Sequence, residues 1–235
     1  DGHVTIWTST QVPFNIRSLT AAILRIPESQ IKVIPLEVGG GFGAKGTSYL
    51  DPVVTVLSKK SGRPVKITMT RKEVFEGTGP TSATYMRCKI GATKGGRITA
   101  AQLYLAYEAG AFPGSPVGGG ALTGLGPYKI ENLLVDGYDV VCNKQKAQAY
   151  RAPGQPQAAF AVEFTVDELA EKLGLDPLEF RLKNAVQEVD RMTNGVMYPR
   201  IGCKELEEAM HAHPHYNTPL EAPDPSTSSG QAPST

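Results

Sequence analysis

The spacing of apolar positions predicts a chain that mixes strands and helices. Apolar and polar residues alternate over 3–8, as in a half-buried strand. Apolar side chains then recur at helical spacing from Pro13, a residue suited to the first helical position. Further elements are predicted as a strand at 31–38, a helix at 50–59 and a strand at 65–70. The order β-α-β-loop-α-β indicates a sheet covered by helices.

The middle of the chain predicts a hairpin followed by a long loop. Two alternating runs, 83–92 and 97–108, flank a turn whose glycines supply positive φ. Residues 110–126 hold seven glycines and two prolines, and a connector of this kind is usually functional or disordered. Strands are predicted again at 128–130 and 133–141.

The last third predicts helices and then a tail. One helix starts near Pro156 and ends at Gly174, and another starts after Asp176, an N-cap followed by Pro and later by Glu. A short helix at 203–210 carries Glu205, Glu207 and Glu208, which we expect to be solvated. The fold class is α+β, with mixed sheets and packed helices. We expect one domain over 1–210, divided into two lobes near 75–110 if it divides, and a flexible, disordered tail over 211–235.

Charge and composition exclude several classes of partner. Lys and Arg (24) balance Asp and Glu (23), which gives no basis for a nucleic-acid or membrane-surface partner. No apolar run in the sequence is long enough for a membrane span, and no segment of it resembles a signal peptide. The start at Asp1 without an initiator Met indicates a fragment or a processed piece. Three widely spaced cysteines (Cys88, Cys142 and Cys203) argue against disulfides or metal clusters and favour a cytoplasmic location.

Residues 39–46, Gly-Gly-Gly-Phe-Gly-Ala-Lys-Gly, form the most informative segment. Glycines bury little surface, but they allow backbone N–H groups to approach an anionic or oxo-bearing ligand closely. A phosphate loop is excluded, since Ala44 and Gly46 replace the glycine and the hydroxyl residue that it requires. A dinucleotide fingerprint matches only loosely, and a strand-to-helix corner without a ligand is a third interpretation.

A second unusual loop, residues 148–157, surrounds Arg151 with Pro153, Gly154 and Pro156. Arg151 either caps a carbonyl or pairs on the surface, or it is a donor to an anionic ligand at a helix N-terminus. His211, His213 and His215 give a separate alternative, because alternating histidines on an extended segment would face one side and could chelate a metal ion.

Four segments in order, 8–13, 39–45, 149–157 and 167–184, resemble the molybdenum hydroxylase family, the large subunits of xanthine dehydrogenase and aldehyde oxidase relatives. The resemblance implies molybdenum-molybdopterin, either plain or as the cytosine dinucleotide. Gln11 would donate its amide to an oxygen on molybdenum, with Arg151 on the opposite side of the centre. The alternative for Gln11 is an ordinary residue at a helix N-terminus. The backbone of the glycine loop would line the oxo face, through Gly40, Gly41, Phe42, Gly43 and Ala44.

The resemblance also implies an activity and partners. This family hydroxylates an aldehyde or an N-heterocycle and passes electrons to iron–sulfur clusters and flavin (FAD), here expected on partner subunits or domains. The family's glutamate base lies beyond these segments, so we assign no catalytic residue and expect a piece of a molybdenum subunit that is inactive alone. Gly46 and Pro153 replace substrate-recognising residues, which makes a purine substrate doubtful. The alternative is a non-catalytic scaffold or assembly module with the same fold.

Overall fold

The computed structural model describes residues 2–219, which form helices packed on two small sheets. This architecture confirms the predicted α+β class. Of the flexible tail expected over 211–235, residues 220–235 lie outside the described residues. The strands are β1 (Val4–Thr8), β2 (Ile31–Pro35), β3 (Thr84–Ala92), β4 (Ile98–Gly110) and β5 (Asn132–Val141). The helices are α1 (Pro13–Leu24), α2 (Asp51–Ser61), α3 (Arg71–Gly77), α4 (Val117–Thr123), α5 (Gln155–Leu173), α6 (Pro177–Asn184) and α7 (Cys203–His211).

The first sheet pairs β1 and β2 in parallel, with Val4 opposite Ile31. Helix α1 connects the two strands and covers one face of the sheet, where Ile6, Ala21 and Ile31 form a small buried cluster. Strand β2 ends at Pro35, three residues before the predicted end. Parallel strands end at the same edge of a sheet, so the segments that follow β1 and β2 emerge side by side.

The second sheet has the order β3-β4-β5 and carries the larger core. Strands β3 and β4 form the predicted antiparallel hairpin, whereas β5 runs parallel to β4. Helix α5 packs on this sheet through Ala158, Val162, Val166 and Ala170, all of them fully buried. The sheet fixes the start of α5, which carries the second loop. The division of the domain into two lobes stays a prediction.

The predicted strand at 65–70 is wrong, because these residues form neither a strand nor a helix. A helix that the prediction missed, α3, begins directly afterwards with a capping box. The Thr70 hydroxyl accepts from the Glu73 N–H at 3.3 Å, and the Glu73 carboxylate accepts from the Thr70 N–H at 2.7 Å. Two orphan donors at the helix start are thereby satisfied.

The long loop predicted at 110–126 is also wrong, because its centre is helix α4. The glycines of α4 permit close packing. A Cβ at Gly120 would lie 2.8 Å from Tyr107 Oη and 2.9 Å from the Gly154 carbonyl oxygen, and one at Gly119 would lie 2.6 Å from the Pro153 oxygen. The strand predicted at 128–130 is reduced to a single bridge, Tyr128 to Ala185.

The chain after α5 follows the prediction in most respects. Asp176 caps α6 by accepting from the Leu178 and Glu179 N–H groups. On α7, Glu205 and Glu208 are exposed, but Glu207 is half-buried, and burial raises the pKa of its carboxyl above the ordinary value. The expectation of a solvated Glu207 is therefore wrong.

The three histidines near the C-terminus do not lie on an extended segment. His211 ends α7, and the His213 ring accepts a hydrogen bond from the His215 N–H within a series of turns that reaches residue 218. Within residues 2–219 no group of three or more His, Cys, Asp or Glu side chains is arranged to hold a metal ion. The alternative of a metal site on alternating histidines therefore has no support in this arrangement.

Cysteines and membrane-spanning potential complete the description. Cys88, Cys142 and Cys203 are free thiols of intermediate burial. None of the helices in the described part of the chain has both the length and the apolar character needed to cross a membrane.

Candidate functional site

The segments after β1 and β2 meet at one edge of the first sheet. The Leu36 N–H donates to the Thr8 carbonyl at 2.9 Å, which continues the pairing beyond β2. The Gln11 N–H then donates to the Lys45 carbonyl at 3.0 Å. The parallel strands therefore place Gln11 against the glycine loop, residues 39–46.

The side chain of Gln11 is fixed by this loop. Its Oε1 accepts from the Gly43 N–H at 2.9 Å and from the Lys45 N–H at 3.3 Å. A Cβ at Gly41 would lie 2.4 Å from Gln11 Cδ, so a larger residue at that position would displace the Gln11 side chain from the loop. Within residues 2–219, Gln11 Nε2 makes no hydrogen bond, and α1 is preceded by Val12 without a side-chain cap. Gln11 is therefore not a helix cap, and its amide keeps two donors for a ligand.

Lys45 closes the glycine loop from within, a role that the sequence did not reveal. Its Nζ donates to Ser9 Oγ at 3.0 Å and to the Val38 carbonyl. Ser9 Oγ in turn donates to the Glu37 carbonyl at 2.9 Å. The ammonium group is thus used to join the two ends of the loop.

The second loop contacts the glycine loop directly. The Arg151 N–H donates to the Phe42 carbonyl at 2.7 Å. A Cβ at Gly43 would lie 2.9 Å from both Cβ and the carbonyl oxygen of Ala149. The two loops, far apart in sequence, therefore form one structure.

Both loops hold a non-glycine residue in the left-handed region. Phe42 has a φ of 49° and Ala152 a φ of 54°. Such conformations cost free energy and persist only where the surroundings impose them, and they concentrate at functional sites. Here the surroundings are the hydrogen bond at Phe42 and the acceptance by Ala152 of the Gln155 N–H at 3.0 Å.

The charged end of Arg151 is exposed and has neither a carboxylate nor a carbonyl partner in the part of the chain that the structure describes. The interpretation of Arg151 as a carbonyl cap or surface ion pair therefore has no support. The backbone of Arg151 is fixed while its guanidinium remains available, which is the arrangement expected of a donor to an anionic group.

Tyr107, a residue of β4, holds the second loop through a hydrogen bond from the core. Its hydroxyl donates to the Gly154 carbonyl at 2.9 Å, and its side chain is fully buried. Burial raises the pKa of Tyr107 to about 12, so the hydroxyl stays a donor at neutral pH. Gly154, with a φ of 86°, precedes α5 directly. The core of the second sheet thus fixes the turn that carries Arg151.

The remaining candidates are distributed over the same two loops. Gly40 has a φ of 127°, and a Cβ there would lie 3.1 Å from the Phe42 ring; the Ala44 N–H donates to the Gly41 carbonyl at 2.8 Å. The Gly46 N–H donates to the Gly43 carbonyl at 3.1 Å, whereas Pro153 is exposed and directs its carbonyl towards α4. No hydrogen bond joins Gly46 to Pro153 among the described residues.

The donor set indicates what kind of ligand fits. It consists of an amide NH₂, a guanidinium and closely approachable backbone, all of which donate hydrogen bonds, and within residues 2–219 it contains no side-chain cluster suited to bind a metal ion directly. This chemistry fits a ligand that presents oxygen acceptors, such as an organic cofactor. The two backbone-rich loops thus give the chain the character of a cofactor-binding domain.

Comparison with known families agrees with this class. The family described as molybdopterin cofactor-binding domain matches residues 1–185. The chain belongs to the molybdopterin cofactor-binding domain family.

Relatives and solved structures extend the comparison. The nicotinate dehydrogenase large molybdopterin subunit of Eubacterium barkeri is 33% identical over 89% of this chain and 50% of its own length. The xanthine dehydrogenase molybdenum-binding subunit of Escherichia coli is 34% identical over 89% of this chain and 28% of its own length. The aldehyde oxidoreductase of Desulfovibrio gigas superposes with a TM-score of 0.79 at 27% identity, over 90% of this chain and 24% of that one. Quinoline 2-oxidoreductase of Pseudomonas putida superposes with a TM-score of 0.78 at 30% identity, over 89% of this chain and 28% of that one. The chain thus spans half or less of the length of these proteins.

Proposed function

We propose that this chain is a piece of the molybdenum-binding subunit of a xanthine dehydrogenase- or aldehyde oxidase-like hydroxylase. In this role it contributes ligands to molybdopterin. The observation that carries the proposal is the junction of the two loops, in which Phe42 and Arg151 are joined through their backbones and Gln11 is fixed against Gly43. Membership of the family supports the same cofactor.

Each residue has a distinct task toward the cofactor. Gln11 donates through Nε2 while its Oε1 stays bound to the loop, so the amide is oriented before the cofactor arrives. Gly41 and Gly43 let the backbone approach closely, and Arg151 adds a positive charge. When bound, molybdenum-molybdopterin supplies the redox and oxygen-transfer chemistry. The proposed cofactor is molybdenum-molybdopterin, either in its plain form or as the cytosine dinucleotide.

The substrate class that we propose is an aldehyde or an N-heterocycle. The relatives compared above include enzymes named for nicotinate, quinoline and aldehydes. Gly46 and Pro153 lie on the two loops and are the proposed substrate-facing positions. A Cβ at Gly46 would lie 2.9 Å from the Gly43 carbonyl oxygen, so any side chain there would require the loop to shift.

The active enzyme requires further polypeptide. Among the described residues, no Asp or Glu side chain is hydrogen-bonded to either loop, and no cysteine cluster could hold iron–sulfur centres. We therefore propose that the rest of the molybdenum subunit, with iron–sulfur and flavin (FAD) subunits or domains, completes the site, and that the isolated chain is inactive.

Molybdenum and pterin content of the assembled subunit tests the proposal. Arg151→Ala combined with Gln11→Ala should lower both by at least about tenfold, because the loss of two donors removes more than about 1.4 kcal/mol of binding free energy. Arg200→Ala, at an exposed arginine outside the loops, is the control. Full molybdenum content in the double variant would contradict the assignments.

A scaffold or assembly module is the second candidate function. The bond between Arg151 and Phe42 joins the two loops through backbone atoms alone, a junction that a scaffold would use as well. Absence of pterin fluorescence from the complete assembly would support this alternative over the first.

A further inference from the structure

Residues 64–70, Pro-Val-Lys-Ile-Thr-Met-Thr, are the most β-prone sequence that the fold leaves unused. Val, Ile and Thr favour strands, and apolar and polar residues alternate here. Within residues 2–219, the N–H groups of 65–69 and the carbonyl groups of 64–69 make no hydrogen bond. An exposed row of unpaired N–H and C=O groups is a template for pairing with another strand.

A cavity lies beside this segment. It has a volume of about 310 Å³ and is lined by Leu50, Ile67 and Met69 on the apolar side and by Glu73 and Glu76 on α3. Ile67 is 37% exposed although it belongs to the apolar set. The segment thus offers free backbone groups and a recess for side chains, as strand-accepting edges do.

The chain that leads into and through the segment is cationic, whereas the two nearby carboxylates, Glu73 and Glu76, lie on the cavity side. Residues 59–72 contain six cations and no carboxylate. Among the described residues only one of the six is in an ion pair, namely Lys72 with Glu76 at 3.8 Å. The cations are Lys59, Lys60, Arg63, Lys66, Arg71 and Lys72. A complementary partner therefore carries carboxylates.

We propose that residues 65–70 form an edge that pairs with a β-strand bearing carboxylates, supplied by the rest of the molybdenum subunit. The proposal rests on the proposed function, which requires such a remainder. The chain covers only 24–50% of the four relatives compared above, so those proteins contain ample further polypeptide.

Two other occupants fit less well. A second copy of the chain pairing through the same segment would place six cations against six, which is repulsive. Residues 220–235 contain Pro223, Pro225 and Pro233, and proline removes the N–H groups that a strand ladder uses. A strand from the remaining subunit avoids both problems.

Residue-resolved hydrogen exchange tests the proposal on the chain alone and on the subunit assembled with its remainder. A strand on one side protects alternate amides, because successive N–H groups point in opposite directions. We expect either 65, 67 and 69 or 66 and 68 to exchange at least about tenfold more slowly in the assembly than in the chain alone. Amides of β4, such as that of Leu105, should be protected in both samples and serve as the internal reference.

Charge reversal provides the matched control. Lys66→Glu should reduce the protection in the assembly by at least about threefold, whereas Lys94→Glu, in the exposed hairpin turn, should not. Equal effects of the two variants would contradict the carboxylate-bearing partner.

The remaining outcomes are decisive as well. Unchanged exchange of 65–69 in an assembly that contains molybdenum overturns this proposal and leaves the proposed function intact. Protection of these amides in an assembly that lacks molybdenum and pterin supports the strand pairing and contradicts the proposed function. Protection in the chain alone assigns the edge to a second copy if it depends on concentration, or to residues 220–235 if it does not, and either result overturns the proposal.

Discussion

Gly43 and Ala149 are packed so closely that a single methyl group at Gly43 would lie 2.9 Å from the Ala149 carbonyl oxygen. This contact and the neighbouring bond between Arg151 and Phe42 join the two loops. Gly43 therefore meets two requirements at once, a left-handed backbone conformation and a close contact with the second loop.

Gly43→Ala should therefore destabilise the protein by about 2–4 kcal/mol, because a left-handed conformation and a steric clash add together. Gly43 has a φ of 99°. Gly39→Ala is the matched control, since Gly39 also has a positive φ (66°) but open space around it. The control should cost about 1–2 kcal/mol in denaturant unfolding. Equal losses would show that the contact with Ala149 has no energetic weight.

Lys45→Met should open the glycine loop. The substitution keeps the aliphatic part of the side chain but removes the bonds from Nζ to Ser9 and Val38. A loss of about 1–2 kcal/mol in stability is expected. Lys94→Met, in the exposed hairpin turn, should change stability by less than about 0.5 kcal/mol. A neutral Lys45→Met variant would refute the structural role of this ammonium group.

The glycines of α4 should respond in opposite directions to alanine. Gly120→Ala places a methyl group within 3 Å of Tyr107 Oη and the Gly154 oxygen and should cost about 1–3 kcal/mol. In Gly118→Ala the added methyl group would lie in open space, and the substitution should stabilise the helix by about 0.5–1 kcal/mol. Thermal or denaturant unfolding of both variants decides the matter. Stabilisation by both would mean that α4 does not pack as described.

Tyr216 and Asp176 form a titratable pair. The Tyr216 hydroxyl donates to both Asp176 oxygens at 2.6 and 2.7 Å, and this bond raises the pKa of Tyr216 to about 12 while it lowers that of Asp176. For the tyrosine, the stabilisation is complete below its ordinary pKa of 10.0 and is lost as pH rises toward 12. For the aspartate, it is present above 3.8 and is lost as pH falls through the lowered value.

An NMR titration of Tyr216 checks this pair. In Asp176→Asn the acceptor remains but its charge is removed, so the pKa of Tyr216 should fall back toward 10.0. An unchanged titration would indicate that residues 211–219 do not contact the start of α6.

The sequence predicted those elements whose local signals agree with their packing. The apolar face of α5, the Asp176 cap and the glycine turn of the β3–β4 hairpin all appear as expected. The α3 helix was missed although Thr70 and Glu73 have capping-box spacing, because the β-prone run before Thr70 dominated the interpretation.

The wrong predictions at 65–70 and 110–126 have different causes, although in both the deciding contacts are tertiary. Residues 65–70 have strand propensity, but a strand also needs a partner that the local sequence does not specify. Residues 110–126 are rich in glycine, and glycine-rich sequences occur both in flexible loops and in tightly packed helices. Within the site, the sequence pattern singled out both loops and Gln11, and their roles toward a cofactor stay predictions. The fixing roles of Lys45, Ala149 and Tyr107 depend on tertiary contacts, so only the structure reveals them.

Gln11→Glu tests the central claim, that the free Gln11 amide donates to molybdopterin. Glutamate keeps an oxygen that accepts from Gly43 and Lys45, so stability should change by less than about 1 kcal/mol, but it replaces Nε2 by an acceptor. The decisive measurement is molybdenum per assembled subunit, compared with Gln102→Glu as control. We predict a decrease of at least about tenfold with the fold intact, since an oxygen facing the cofactor's acceptors is repelled. Wild-type molybdenum content in a stably folded Gln11→Glu variant would contradict the account.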